Sequence, residues 1–126
     1  MDLVNQGQIS QSKLDEIIVR TRKGGAEVVK LLEVGSAFYG PAASGIEMAD
    51  SYLNNKKKTL PCAAYLNGEY GVSDLYVGVP VIIGSGGIEQ VVELDLDAEE
   101  KKHFDTSIEA VNELFDAAKN IDPSLK

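Results

Sequence analysis

The run Gly35-Ser36-Ala37-Phe38-Tyr39-Gly40-Pro41-Ala42-Ala43-Ser44 lies between two helical patterns. Its glycines and small residues let backbone approach a ligand or a second element closely. It offers shape and hydroxyls, but no acid, base or strong nucleophile. By residue type alone it reads as a tight helix–helix joint with small residues for close packing. The loop Gly84-Ser85-Gly86-Gly87 suggests a phosphate cradle. A dinucleotide fingerprint needs a third glycine where Glu89 stands, and a helix where Ile88 opens an alternating apolar pattern. The loop therefore reads as a hairpin turn. His103, the single histidine, is the one side chain with an ordinary near-neutral pKa. It falls off the apolar helical face, among Glu99, Glu100, Lys101 and Lys102, and reads as a solvated surface residue. Cys62 has no basic neighbour to lower its pKa and reads as a buried structural thiol. Lys56-Lys57-Lys58 reads as a solvated helix exit. Asp95, Asp97, Glu99 and Glu100 read as capping and first-turn charges, not as a catalytic pair or metal set.

The balance of charge narrows the partners. The net charge is −8, and an acidic surface repels phosphate backbones, so no nucleic-acid partner is expected. A dicarboxylate ligand is repelled too unless arginines cluster around it. Arg20 and Arg22 are the chain's arginines, and both fall in the first helical pattern. Any carboxylate clamp must therefore come largely from elsewhere. A single cysteine excludes an internal disulfide and a multi-cysteine zinc site, which suits a reducing cytoplasm. No apolar run approaches the ~20 residues that span a bilayer, so no membrane association is expected. Met1-Asp2-Leu3-Val4-Asn5 lacks the basic-then-apolar order of a secretory signal.

The elements that would position these residues follow from periodicity. Residues 1–10 read as a lead-in with a turn at Asn5-Gln6-Gly7-Gln8. Ser12 with Asp15 resembles a capping box. Leu14, Ile17, Ile18, Val28, Val29, Leu31 and Leu32 follow a helical period, interrupted by Gly24-Gly25. Glycine in a helix costs roughly 1 kcal/mol relative to alanine, so a kink or a break is expected there. Gly35 ends this region, and Pro41 suits the first turn of the next helix. In that helix Ala42, Ile46, Ala49 and Leu53 share a face. Strands are predicted over 60–66, 75–83 and 88–94. Turns are expected at Asn67-Gly68, Gly71-Val72-Ser73-Asp74 and the glycine loop, and Pro80 marks an edge or a bulge. Asp97 caps a last helix whose face runs through Phe104, Ile108, Val111, Phe115 and Ala118, and Asp122-Pro123 ends it. The order helix-helix-strand-strand-strand-helix is α+β, with helices packed on an antiparallel sheet in a single domain over residues 1–126. It is not the alternating order of a doubly wound nucleotide fold.

Several segments together resemble the C-terminal domain of the lactate/malate dehydrogenase family. Arg20-Thr21-Arg22-Lys23-Gly24-Gly25-Ala26-Glu27-Val28-Val29 is similar to that domain's kinked helix, and Gly35 to Ser44 to the small-residue joint after it. Leu60-Pro61-Cys62-Ala63-Ala64-Tyr65-Leu66-Asn67-Gly68-Glu69-Tyr70-Gly71-Val72 and Tyr76-Val77-Gly78-Val79-Pro80 are similar to its hairpin. The likeness covers nearly the whole chain and leans toward the lactate-dehydrogenase-like malate dehydrogenases of bacteria. It implies an NAD-dependent oxidoreductase interconverting malate and oxaloacetate, and a homo-oligomer, dimeric or tetrameric. In that family a histidine in a Gly-Gly-His-Gly-Asp-like segment is the acid–base, an aspartate orients it, and arginines clamp the carboxylates. Those residues and the NAD-binding domain would precede Asp2, and none has a counterpart here; His103 is not the catalytic position. The resemblance carries over a wall instead. Ala37 borders the substrate, at a position where lactate-specific members carry threonine. Ser36 lies beside it, and Pro41 packs near the nicotinamide.

Two readings follow from these residues. In the first, the chain is the substrate-side domain of a malate dehydrogenase, inactive alone. In the second, it is a non-catalytic oligomerisation or assembly domain of the same fold. A small NAD-binding protein in its own right fails on the missing fingerprint.

Overall fold

The computed structural model describes residues 2–125, so Met1, at the head of the expected lead-in, lies outside the described residues. It contains helices α1 (Asp2–Asn5), α2 (Gln11–Arg22), α3 (Gly24–Leu32), α4 (Tyr39–Leu53) and α5 (Ala98–Ile121), and strands β1 (Lys58–Asn67), β2 (Ser73–Gly84) and β3 (Gly87–Val91). Contacts divide the chain into two compact units, Met1–Glu47 and Met48–Lys126.

In the first unit the lead-in holds a helical turn, α1. It closes on Gly7 and Gln8, whose N–H groups donate to Val4 and Leu3 carbonyls at 3.0 and 2.9 Å. The cap of α2 is not at Ser12. Ser10 is extended and its Oγ accepts from Lys13 N at 3.2 Å, while Asp15 accepts instead from Gln11 Nε2 at 2.8 Å. The expected interruption is a break between two helices, centred on Lys23 (φ −100°, ψ 2°), with both glycines in the first turn of α3. The helical region ends earlier than Gly35. Glu33 takes the left-handed conformation (φ 61°), and its N–H donates to Val29 O at 3.1 Å. Neither α2 nor α3 buries a side chain.

The second unit is organised by a three-stranded antiparallel sheet in the order β1-β2-β3. Alternation along the strands sends Cys62, Ala64 and Leu66 to the same face as Leu75, Val77, Val79, Val81 and Ile83, and these form the buried core. Cys62 is buried, as its neighbours suggested. Phe104, Ile108 and Val111 of α5 pack against that core. Phe115 remains exposed, with Lys119 Nζ 4.0 Å from its ring centre. Asp97 caps α5 as expected. Its carboxylate accepts from Glu99 N and Glu100 N, both at 2.9 Å, and Glu100 Oε2 accepts from Asp97 N at 3.0 Å.

Three sheet expectations change. The connection between β1 and β2 is one loop, not two turns, closed by Gly68 N donating to Val72 O at 2.8 Å. Asp74 (φ 59°) is the extra residue of a bulge, because Leu66 pairs with Leu75 and Asn67 with Ser73. Pro80 lies in the central strand. Its missing N–H is tolerated because it faces Pro61 on one side and lies one residue outside the β2–β3 pairing on the other. β3 is shorter than predicted, ending at Val91. The chain beyond it is tied by Tyr70, whose hydroxyl donates to Val92 O at 2.7 Å and accepts from Leu94 N at 2.9 Å.

Ser51, fully buried at the end of α4, anchors that helix to the sheet. Its Oγ donates to Ile83 O at 2.7 Å and accepts from Lys58 N at 3.2 Å. The lysine cluster beside it is engaged by carboxylates: Lys56 Nζ is 2.6 Å from Asp50 and Lys57 Nζ 3.2 Å from Glu89. Donation from Lys56 and then Asn54 holds the Asp50 carboxyl below the usual aspartate range. By contrast, the α4 face expected to be apolar is open, with Ile46 70% and Leu53 75% exposed.

Removing the Ser51 hydroxyl takes this partner from the buried Ile83 O and from Lys58 N. Ser51→Ala is expected to lower stability by about 1–3 kcal/mol in urea unfolding. Leu66→Ala, which empties a fully buried site, is expected to lower it by about 2–5 kcal/mol in the same experiment.

Candidate functional site

The segment of small residues is a corner held by backbone geometry. After Glu33, Gly35 is again left-handed (φ 85°), and the Phe38 ring covers it. A Cβ built on Gly35 would stand 3.0 Å from Phe38 Cε1. Phe38 in turn packs against Tyr39, ring centres 4.9 Å apart. Between these anchors Ser36 is exposed and Ala37 half-buried. Ala37 O accepts from Gly40 N at 3.1 Å and Phe38 O from Ala42 N at 3.0 Å, which starts α4. Pro41 sits exposed in that first turn, where an N–H has no intrahelical partner to lose. Ser36, Ala37 and Pro41 therefore lie on one short corner of the first unit.

No acid–base group belongs to this corner. His103 is an exposed residue of α5 in the second unit, with Nε2 4.0 Å from Glu99 Oε1. Arg20, one of the two arginines, is engaged in a two-pronged contact with Glu27: Nε donates to Oε2 at 3.2 Å and Nη2 to Oε1 at 2.9 Å. That contact holds the Glu27 carboxyl below the usual glutamate range. Arg20 also borders two open grooves on the helices, one with Ser12, Asp15, Glu16 and Val19, the other with Ile17, Gly24, Val28 and Leu31. Among the described residues no cluster of three or more His, Cys, Asp or Glu could hold a metal ion.

The glycine loop Gly84–Gly87 is a two-residue hairpin, as expected, and does not fit a dinucleotide phosphate. Its N–H groups are already directed at side chains: Ser85 N donates to Asn55 Oδ1 at 3.0 Å and Gly86 N to Glu89 Oε1 at 3.4 Å. A Cβ on Gly84 would collide with the Glu89 carboxylate. Glu89, where a fingerprint needs glycine, thus lies against the loop and takes up one of its N–H groups.

A profile of the lactate/malate dehydrogenase α/β C-terminal domain matches residues 1–121. The chain belongs to this family. It is 61% identical over 125 residues to a malate dehydrogenase of Pelagibacter ubique, covering 99% of this chain and 39% of that protein. Among solved structures it resembles malate dehydrogenase from Salinibacter ruber (43% identical, TM-score 0.86, 98% of this chain and 40% of that one). It also resembles lactate dehydrogenase from Eimeria maxima, solved with NADH and oxamate (44% identical, TM-score 0.87, 97% of this chain and 38% of that one). The chain spans about two fifths of the length of these relatives.

Two features of this lactate/malate dehydrogenase domain escaped sequence reasoning. The Arg20–Glu27 contact spans seven positions and a helix break, beyond the three- and four-residue spacings that sequence rules examine. On the sheet face opposite the core, Tyr65 and Tyr76 stand exposed, ring centres 5.3 Å apart, and Tyr65 OH donates to Asp74 Oδ1 at 2.8 Å. Their alternation with core residues was a usable signal; the bulge that turns Asp74 toward Tyr65 was not.

The corner's dependence on Gly35 is testable. Gly35→Ala adds a left-handed alanine, costing about 1–2 kcal/mol, and forces Phe38 to move. Amide exchange over residues 35–41 is expected to quicken, with the β1–β2 core amides unchanged.

Proposed function

We propose that residues 1–126 form the substrate-side domain of an NAD-dependent malate dehydrogenase interconverting malate and oxaloacetate, and that the chain alone is inactive. The observation carrying this reading is the match of 99% of the chain, at 61% identity, to a malate dehydrogenase 2.5 times its length. Ala37 and Ser36 form the wall bordering the substrate, and Pro41 packs near the nicotinamide. A small, largely apolar wall excludes water and strengthens the charges and hydrogen bonds aimed at a bound dicarboxylate. The described residues include neither a dinucleotide cradle nor a convergent acid–base pair. In this reading NAD, the catalytic histidine with its aspartate, and the arginine clamp all belong to the part of the longer protein that this chain does not include. The intact enzyme works as a cytoplasmic homo-oligomer; none of the described helices is long and apolar enough to cross a membrane.

The alternative is a non-catalytic assembly domain. The open apolar side chains Ile46 and Leu53 favour burial against another surface and suit either reading. Light scattering separates them: a defined oligomer of the chain alone favours assembly, and indefinite association favours a domain severed from its enzyme.

The direct test replaces the matching segment of the Pelagibacter malate dehydrogenase with this chain. The hybrid is expected to oxidise NADH with oxaloacetate, and the isolated chain is not. A hybrid that folds and binds NADH but leaves oxaloacetate untouched would refute the reading. Within an active hybrid, Ala37→Thr is expected to lower the kcat/KM preference for oxaloacetate over pyruvate by about tenfold.

A further inference from the structure

Helices α2 and α3 meet at Lys23 with no buried side chain on either of them. Apolar packing therefore does little to hold their mutual direction. Lys23 N is shared between Val19 O at 3.3 Å and Arg20 O at 3.1 Å, a three-centre bond of the kind that ends helices. Gly24 and Gly25, which follow at once, add backbone freedom. Across this soft point Arg20 in the last turn of α2 and Glu27 in the first turn of α3 form a planar fork, with both guanidinium–carboxylate contacts made. Paired hydrogen bonds of this kind restrict angle as well as distance. The C-terminal end of α3 leads directly through Glu33 and Gly35 into Ser36 and Ala37. The direction of α3 therefore sets where that corner stands relative to α2.

We propose that Arg20 and Glu27 are positioning residues: their fork fixes the bend between α2 and α3 and so places the Ser36–Ala37 wall. Neither residue touches substrate in this account. Arg20 is committed to Glu27 and is not a carboxylate clamp. The bend itself is independent of the dehydrogenase reading; its effect on substrate rests on that reading.

The test measures the bend first. Spin labels at Lys13→Cys and Lys30→Cys in the full chain, with Cys62→Ala, report the distance between the two helices. About 25 Å of helix separates these positions. A single narrow distance distribution is expected for Arg20 with Glu27. Glu27→Gln is expected to broaden it, and the exchanged pair Arg20→Glu with Glu27→Arg to narrow it again. Because the fork lowers the pKa of Glu27, the wild-type distribution is expected to broaden at a lower pH than the titration of an unpaired glutamate would give. A distribution unchanged by Glu27→Gln, or not restored by the exchange, overturns the proposal. In the hybrid enzyme, Glu27→Gln is expected to raise KM for oxaloacetate about fivefold with kcat within twofold, and the exchange to recover it. An altered bend with unaltered KM overturns the link to the wall. A hybrid inactive even with Arg20 and Glu27 intact counts against the malate dehydrogenase reading alone, and the distance measurement still decides the fork.

Discussion

Pairing of β1 with β2 places eight apolar side chains, from Cys62 through Ile83, on one face of a long antiparallel ribbon. A two-stranded ribbon is marginal in water unless something covers that face. In the second unit α5 supplies the cover through Phe104, Ile108 and Val111. β3 extends the sheet from β2, and Tyr70 fastens the chain beyond it. Ser51 then ties the end of α4 to this same assembly through the carbonyl of Ile83 and the N–H of Lys58. One hydroxyl satisfies both a donor and an acceptor there, so Ser51 can be buried without an orphaned polar atom.

The first unit is held differently. Its helices α2 and α3 bury no side chain of their own. What shapes them is local: a serine cap at Ser10, a break at Lys23, left-handed residues at Glu33 and Gly35, and an ion pair across the break. Short helices without an apolar footing are marginal in water. The chain spans about two fifths of the length of the malate dehydrogenase it matches. The corner at Ser36 and Ala37 is built from backbone conformation and one aromatic contact, with reactive side chains absent.

Much of this was legible in the residues. The strand-turn-strand order over residues 60–83 and the +4, +3, +4 spacing from Phe104 to Phe115 determined an antiparallel sheet and a helix to pack on it, because turn residues and a period of 3.6 follow directly from backbone geometry. Asp97 with Glu100 determined the start of α5, and Gly84–Gly87 the last hairpin. The absence of a dinucleotide fingerprint was equally plain, since it depends on glycine at stated positions. Tertiary structure alone decided the rest. Only pairing on both sides shows that Pro80 sits in a central strand. Only the bulge shows that Asp74 reaches Tyr65. Only the break at Lys23 brings Arg20 and Glu27 into a fork. Each depends on a neighbour's backbone direction, which long-range packing or a single non-helical residue sets and which no local spacing encodes.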